Sequence, residues 1–155
     1  MGYQVQENIQ AVHHTGFIVK DLDRSLDFYV NKLGMKLQMR WIETAEQCDT
    51  GMGVPGSSLE LAQLVGYGVM IEIARFIDVP GIDTPLSPRQ IGVGHVSFTV
   101  RDLVSLIAHL EEQGVKMASE RMIVPELKIT WVHALDPDGI RVEFMQFFDR
   151  CEDVK

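Results

Sequence analysis

The chain has 155 residues, of which 46% are apolar and 23% charged, a balance that supports one or two small globular units with an apolar core. Its 14 Lys+Arg against 22 Asp+Glu leave a net charge of −8 and a pI near 5.0, which argues against the basic surface that non-specific nucleic-acid binding needs. No apolar run approaches the ~18–20 residues that span a bilayer, and two cysteines, Cys48 and Cys151, build no disulfide framework.

Residues 1–10 read as an N-terminal extension. They lack the basic and apolar regions of a secretory signal, and Gln6 stands where a myristoylation signal wants Ser or Thr. A soluble, cytoplasmic protein with neither membrane nor nucleic-acid partner is expected. A first module, 11–77, opens with the β-rich run Phe17-Ile18-Val19, followed by Asp21 as a helix N-cap. Leu22, Leu26, Tyr29 and Leu33 then recur at helical spacing, and Gly34 sits where a helix ends. Strands are predicted over Met35–Ile42, Leu59–Leu64 and Val69–Phe76. Between the first two, Cys48–Ser58 reads as a loose flap or long hairpin loop with Gly51, Gly53, Pro55 and Gly56. Its Gly-Met-Gly-Val-Pro-Gly matches G-x-G-x-x-G literally, but the polar Glu43–Thr50 before it is no strand, so a dinucleotide site is not expected.

Residues 78–91, with Pro80, Gly81, Pro85 and Pro88, form a linker by composition. A second module, 92–148, offers a strand at Phe98-Thr99-Val100, and then a helix capped by Asp102 that carries Leu103, Leu106, Ile107 and Leu110 and ends at Gly114. Strands follow at Val115–Ala118, near Met122, at Ile129–Leu135 and at Ile140–Phe147. Asp136-Pro137-Asp138-Gly139 joins the last two as a tight turn. Residues 149–155 are a C-terminal tail.

The two modules repeat one another. His14–Leu22 and His95–Leu103 share five of nine residues, Gly34-Met35-Lys36-Leu37 parallels Gly114-Val115-Lys116-Met117, and Val69–Ile73 parallels Ile140–Phe144. The fold class is therefore α+β, with two tandem βαβββ modules whose curved mixed sheets are expected to form a shared cup. Successive side chains of a strand point to opposite faces. Ile71, Ile73, Val142 and Phe144 consequently oppose Glu72 and Glu143, and each module puts one His and one Glu on the face away from its helix. A carboxylate amid an apolar strand is costly unless it is paired, exposed or metal-bound. Two carboxylates and two imidazoles make an oxygen–nitrogen set for Zn, Ni, Co, Fe or Mn, and no nearby thiolates suggest a closed structural zinc site. The repeat selects His14 over the adjacent His13. Salt bridges from Glu72 to Arg75 and from Glu143 to Arg141 are the plainer alternatives.

From Ala11 to Phe148 the chain resembles the vicinal oxygen chelate superfamily, which includes glyoxalase I, methylmalonyl-CoA epimerase, extradiol dioxygenases and fosfomycin or bleomycin resistance proteins. The residues that carry the resemblance are His14 with Phe17–Leu22, Ser25–Tyr29 before Leu33-Gly34-Met35, Glu72, Gly94-His95-Val96, and Asp136–Gly139 ahead of Glu143. The resemblance implies metal ligands at His14, Glu72, His95 and Glu143, a set similar to glyoxalase I, and a homodimer whose site lies within one chain or across two. Epimerases of the family usually carry Gln at the place of Glu72. The ring-cleaving dioxygenases would use His14, His95 and Glu143 alone.

The expected function is a divalent-metal-dependent lyase or isomerase that enolises a small carbonyl or thioester substrate, with Glu143 first and Glu72 second as the catalytic base. An Fe(II) extradiol dioxygenase and a non-catalytic, ligand-sequestering protein are the alternatives. His133, facing with Trp131 and Leu135, is a candidate acid–base group or substrate donor. Trp41 and Trp131 are candidate pocket walls. His109, off the apolar stripe of its helix, reads as solvated.

Overall fold

A computed structural model of the chain describes residues 9–79 and 81–148. Most of the N-terminal extension, the C-terminal tail with Cys151, and Pro80 of the linker lie outside the described residues. The first module runs β1 (Thr15–Ile18), helix α1 (Leu22–Leu26) continuing as a π-helical turn (Asp27–Lys32), β2 (Lys36–Glu43), α2 (Ala45–Met52), β3 (Leu59–Gly66) and β4 (Val69–Phe76). The second runs β5 (His95–Thr99), α3 (Leu103–Glu112), β6 (Lys116–Met117), β7 (Met122–Val124), a 3-10 turn (Pro125–Leu127), β8 (Ile129–Leu135) and β9 (Arg141–Phe147).

The two sheets share one plan. Their orders are β1-β4-β3-β2 and β5-β9-β8-β6, with β7 also paired to β8. In each sheet the first strand lies parallel to the last of its module and the remaining neighbours are antiparallel. The registers also coincide: Gly16 pairs with Glu72, and Ser97 pairs with Glu143. Together β6 and β7 cover the ground that β2 covers alone, because both pair with β8 at different heights.

Local chemistry explains most of the elements. Asp21 and Asp102 cap their helices, each side chain accepting a backbone N–H three residues on, from Arg24 (3.0 Å) and Ser105 (2.9 Å). The first helix departs from the expected α-helical run. From Asp27 it widens to i→i+5 bonding, with Leu33 N–H donating to Phe28 C=O at 3.0 Å. The wider turn seats two adjacent rings, Phe28 and Tyr29, in the core together, edge to face at 5.0 Å.

The segment expected to be a loose flap or a long hairpin loop joins the antiparallel strands β2 and β3 but is helical where it begins. Its first part is α2, whose Thr44 hydroxyl accepts from Gln47 N–H while the Gln47 amide oxygen accepts from Thr44 N–H. Gly53, at φ +67°, ends the helix, so the glycine-rich hexapeptide terminates a helix rather than starting one.

One apolar core joins the modules. Val19, Leu22, Phe28 and Tyr29 of the first meet Phe98, Leu103, Leu110, Val142 and Phe144 of the second in a single buried cluster. Polar contacts reinforce the seam: the Tyr29 hydroxyl donates to Asp136 at 3.3 Å, Lys32 Nζ donates to Gln113 C=O at 3.1 Å, and Arg24 pairs with Asp138. A smaller cluster lies beneath α2, where Cys48 is buried against Leu59, Leu61 and Ala74, with Trp41 and Phe76 at its margin. Among the described residues, no helix is long and apolar enough to cross a membrane.

Candidate metal centre

Strand alternation sets up each half of the site. On β4, Ile71 and Ile73 are fully buried under the helix while Glu72 faces the other way; on β9, Val142 and Phe144 are buried and Glu143 faces the other way. His14 stands just ahead of β1 and His95 opens β5, two residues before the partners of those glutamates. The same contact results twice. His14 Nε2 lies 3.5 Å from Glu72 Oε1, and His95 Nε2 lies 3.6 Å from Glu143 Oε2. Two ligands of one ion, each bonded at ~2.1 Å, stand roughly 3.0–4.2 Å apart, so both contacts suit a shared cation.

The neighbours of the two pairs differ. The Nδ1 atoms of His13 and His14 lie 2.8 Å apart, leaving Nε2 of His14 to face Glu72. Gln63, opposite Glu72 on β3, donates to Glu72 Oε2 at 3.0 Å. Arg75, the alternative partner of Glu72, instead binds Glu60 at 2.6 Å. In the second module the place opposite the glutamate belongs to His133, whose Nε2 lies 4.0 Å from Glu143 Oε1. Burial holds the His133 imidazole below its ordinary pKa; the Glu143 carboxylate opposes this, while His95 and Arg141 add to it. The neutral ring is the form that binds a metal.

The expectation that His14, Glu72, His95 and Glu143 share one point a few ångströms across is not met within a single chain. The structure brings them together as two pairs. Among the described residues, the one group of three or more His, Cys, Asp or Glu side chains with donor atoms mutually within 4.8 Å is His95, His133 and Glu143. The reason is the packing of the modules, which meet through their helices and the β8–β9 turn and leave both His–Glu faces outward. His95 remains 49% exposed and His14 36%, whereas Glu72 and Glu143 are 17% and 12% exposed.

The candidate pocket residues divide in the same way. Trp131 packs edge-on against His133 at 5.2 Å, on the same face as Glu143. Trp41 lies on the Glu72 face but is engaged by the cluster beneath α2. A cavity of ≈ 570 Å³ opens there between Glu72, Ile18, Leu61 and the α2 residues Gln47 and Met52. Gln63 and the α2 roof were not among the expected site features. Their signals lay in the sequence, as a polar residue opposite each glutamate once strand register is known and as the Thr44-x-x-Gln47 capping box. His109 is exposed and contacts Gln113, as a solvated helix residue would.

The donor chemistry and spacing fit a divalent ion, and comparison with known proteins agrees with the fold. The sequence profile of the Glyoxalase/Bleomycin resistance protein/Dioxygenase superfamily matches residues 11–144. The uncharacterized protein YaeR of Escherichia coli K12 is 30% identical over 138 residues, covering 89% of this chain and 97% of its own length. The lactoylglutathione lyase of Schizosaccharomyces pombe is 29% identical over 146 residues, but the chain spans only 46% of that protein. A solved glyoxalase family protein from Bacillus cereus superposes with a TM-score of 0.82 at 20% identity, over 94% of this chain and 99% of that one. Duplicated βαβββ modules, a matched His–Glu pair on each and a profile that spans nearly all described residues lead to one conclusion: the chain belongs to the Glyoxalase/Bleomycin resistance protein/Dioxygenase superfamily.

Proposed function

We propose that this chain is a divalent-metal-dependent lyase or isomerase of the glyoxalase type, and that its complete site forms between two copies of the chain. The repeated His–Glu contact, 3.5 Å in one module and 3.6 Å in the other, carries the reading. Each pair supplies half of a four-ligand set. A two-fold dimer that places the His14–Glu72 face of one copy on the His95–Glu143 face of the other completes two equivalent sites. Exposed apolar side chains on those faces support this: Ile18 and Met39 beside the first pair, Met122 and Phe147 beside the second.

His14, Glu72, His95 and Glu143 would hold the divalent ion, which would supply Lewis-acid polarisation of a carbonyl and stabilise negative charge beside it. Glu143 is assigned as the base. Its carboxylate takes the proton from the carbon beside the carbonyl and returns it either to the opposite face of that carbon or, where that carbon bears a hydroxyl, to the former carbonyl carbon, the hydroxyl proton moving to the former carbonyl oxygen as the new C=O forms. Both outcomes are isomerisations that conserve every atom and electron. Glu72, with one oxygen engaged by Gln63, is the second candidate. Trp131 and the cavity beneath α2 provide apolar walls for the rest of the substrate. The name of the S. pombe relative supports an acyl-thiol conjugate as the substrate class.

Deuterium exchange into candidate α-carbonyl compounds, measured with metal-loaded protein, tests the reading. Exchange that is lost in Glu143→Gln with the metal still bound, by a factor of ~10²–10⁴ for removal of a general base, supports it. Oxygen-dependent cleavage of catechols, or ligand binding with no exchange in the unaltered protein, overturns it in favour of a dioxygenase or a sequestering protein.

A further inference from the structure

The two half-sites are not equivalent. The residue opposite each glutamate is Gln63 in the first module and His133 in the second. Gln63 spends its amide on Glu72 Oε2. His133 offers a ring nitrogen instead, and it approaches Glu143 Oε1 while His95 approaches Glu143 Oε2. The two imidazoles meet edge to face, with ring centroids 5.3 Å apart. All three donor atoms lie within 4.8 Å of one another. Ligands bonded at ~2.1 Å to one tetrahedral ion stand about 3.4 Å apart, so the three need to close by no more than about 1.4 Å. His133 is only 16% exposed on its side chain, and Trp131 packs against its ring, which holds it near that position.

We infer that His133 is a third protein ligand, and that the second module alone takes up a borderline divalent cation through His95, His133 and Glu143 before the His14–Glu72 face arrives. Two nitrogens and one carboxylate leave coordination positions open, and these then receive the other half-site and the substrate. The first module, with one imidazole and a carboxylate already bonded to Gln63, does not hold the ion by itself. The inference rests on the metal-dependent reading above and goes beyond it by assigning the order of assembly and an additional ligand.

Co²⁺ serves as the probe, because its visible absorption reports binding whether or not the protein turns over. In the full chain, the double substitution His14→Ala, Glu72→Ala is expected to retain one Co²⁺ per chain at reduced affinity. Adding His133→Gln is expected to weaken that binding by at least ~10-fold. In the unaltered chain loaded with Co²⁺, paramagnetically shifted exchangeable ring-proton resonances are expected from three histidines, one of which disappears in His133→Gln or His133→Phe. If His95→Gln and Glu143→Gln weaken binding while His133→Gln does not, or if only two shifted rings are seen, the inference is overturned and the metal-dependent reading stands. If His14→Ala, Glu72→Ala abolishes Co²⁺ binding, the order of assembly is overturned. If the unaltered chain binds no Co²⁺, both fail.

Discussion

Asp136 is a charged residue at the seam of the two modules, only 4% exposed. Its Oδ1 accepts from the N–H groups of Asp138 (2.9 Å) and Ile140 (2.8 Å), and its Oδ2 accepts from the Tyr29 hydroxyl. Burial, aided by the Asp138 carboxylate, outweighs those donors and pushes the Asp136 carboxyl up to about 6 from its ordinary 3.8. The same burial, with Asp136 beside it, raises the Tyr29 hydroxyl. A carboxyl that holds its proton more tightly when folded stabilises the fold below pH ~4, and that contribution is lost as pH rises through about 6. Asp136→Asn should remove this dependence. The stability difference between variant and parent is then expected to change by up to ~3 kcal/mol between pH 4 and 7, read from urea midpoints across that range. Parallel curves would show that Asp136 is not the titrating group. The Asp-Pro-Asp-Gly turn was legible in the sequence. The burial of its first aspartate against Tyr29 was not, because 107 residues separate them and only tertiary packing brings them together.

At the scale of elements, the β8–β9 hairpin sets where Glu143 points. Gly139 closes its turn at φ +86°, and a Cβ added there would meet nothing within 4 Å. The cost of Gly139→Ala is therefore backbone strain alone, ~1–2 kcal/mol, and a one-residue slip to relieve it would turn Glu143 toward the core. Thermal denaturation should show the loss of stability, and Co²⁺ affinity should fall with it if the register shifts. The capping box of α2 makes a separate test. Thr44→Ala should cost ~1 kcal/mol and loosen the roof over the Glu72 cavity, raising KM more than it lowers kcat. A change confined to kcat would place the cavity outside the substrate's path. The βαβββ order and the ends of the longer strands followed from alternation and turn residues. The α2 helix escaped that approach because its eight residues are polar on average and carry a single deeply buried side chain, Cys48, so no apolar stripe marks it.

For the whole molecule, a site that two copies share makes a specific demand. On the proposed shared site, a chain carrying His14→Ala and a chain carrying Glu143→Gln are each expected to be inactive alone. Mixed and allowed to exchange, half of their dimers pair one of each, and each such dimer holds one intact site. Recovery of about a quarter of the parent activity is therefore expected, assayed after refolding the mixture. No recovery would mean that each site is built within one chain. The duplication, the helix-facing and open faces of every long strand, and one His–Glu pair per module are legible in the amino-acid order, because periodicity and local turns are written in neighbouring residues. Packing, by contrast, keeps the two pairs apart within one chain, lays α2 over the cavity beside Glu72 and brings His133 to Glu143. Those outcomes depend on how two helices and a hairpin turn share one core and on which residues strand register sets opposite one another, relations between distant segments that no local pattern encodes.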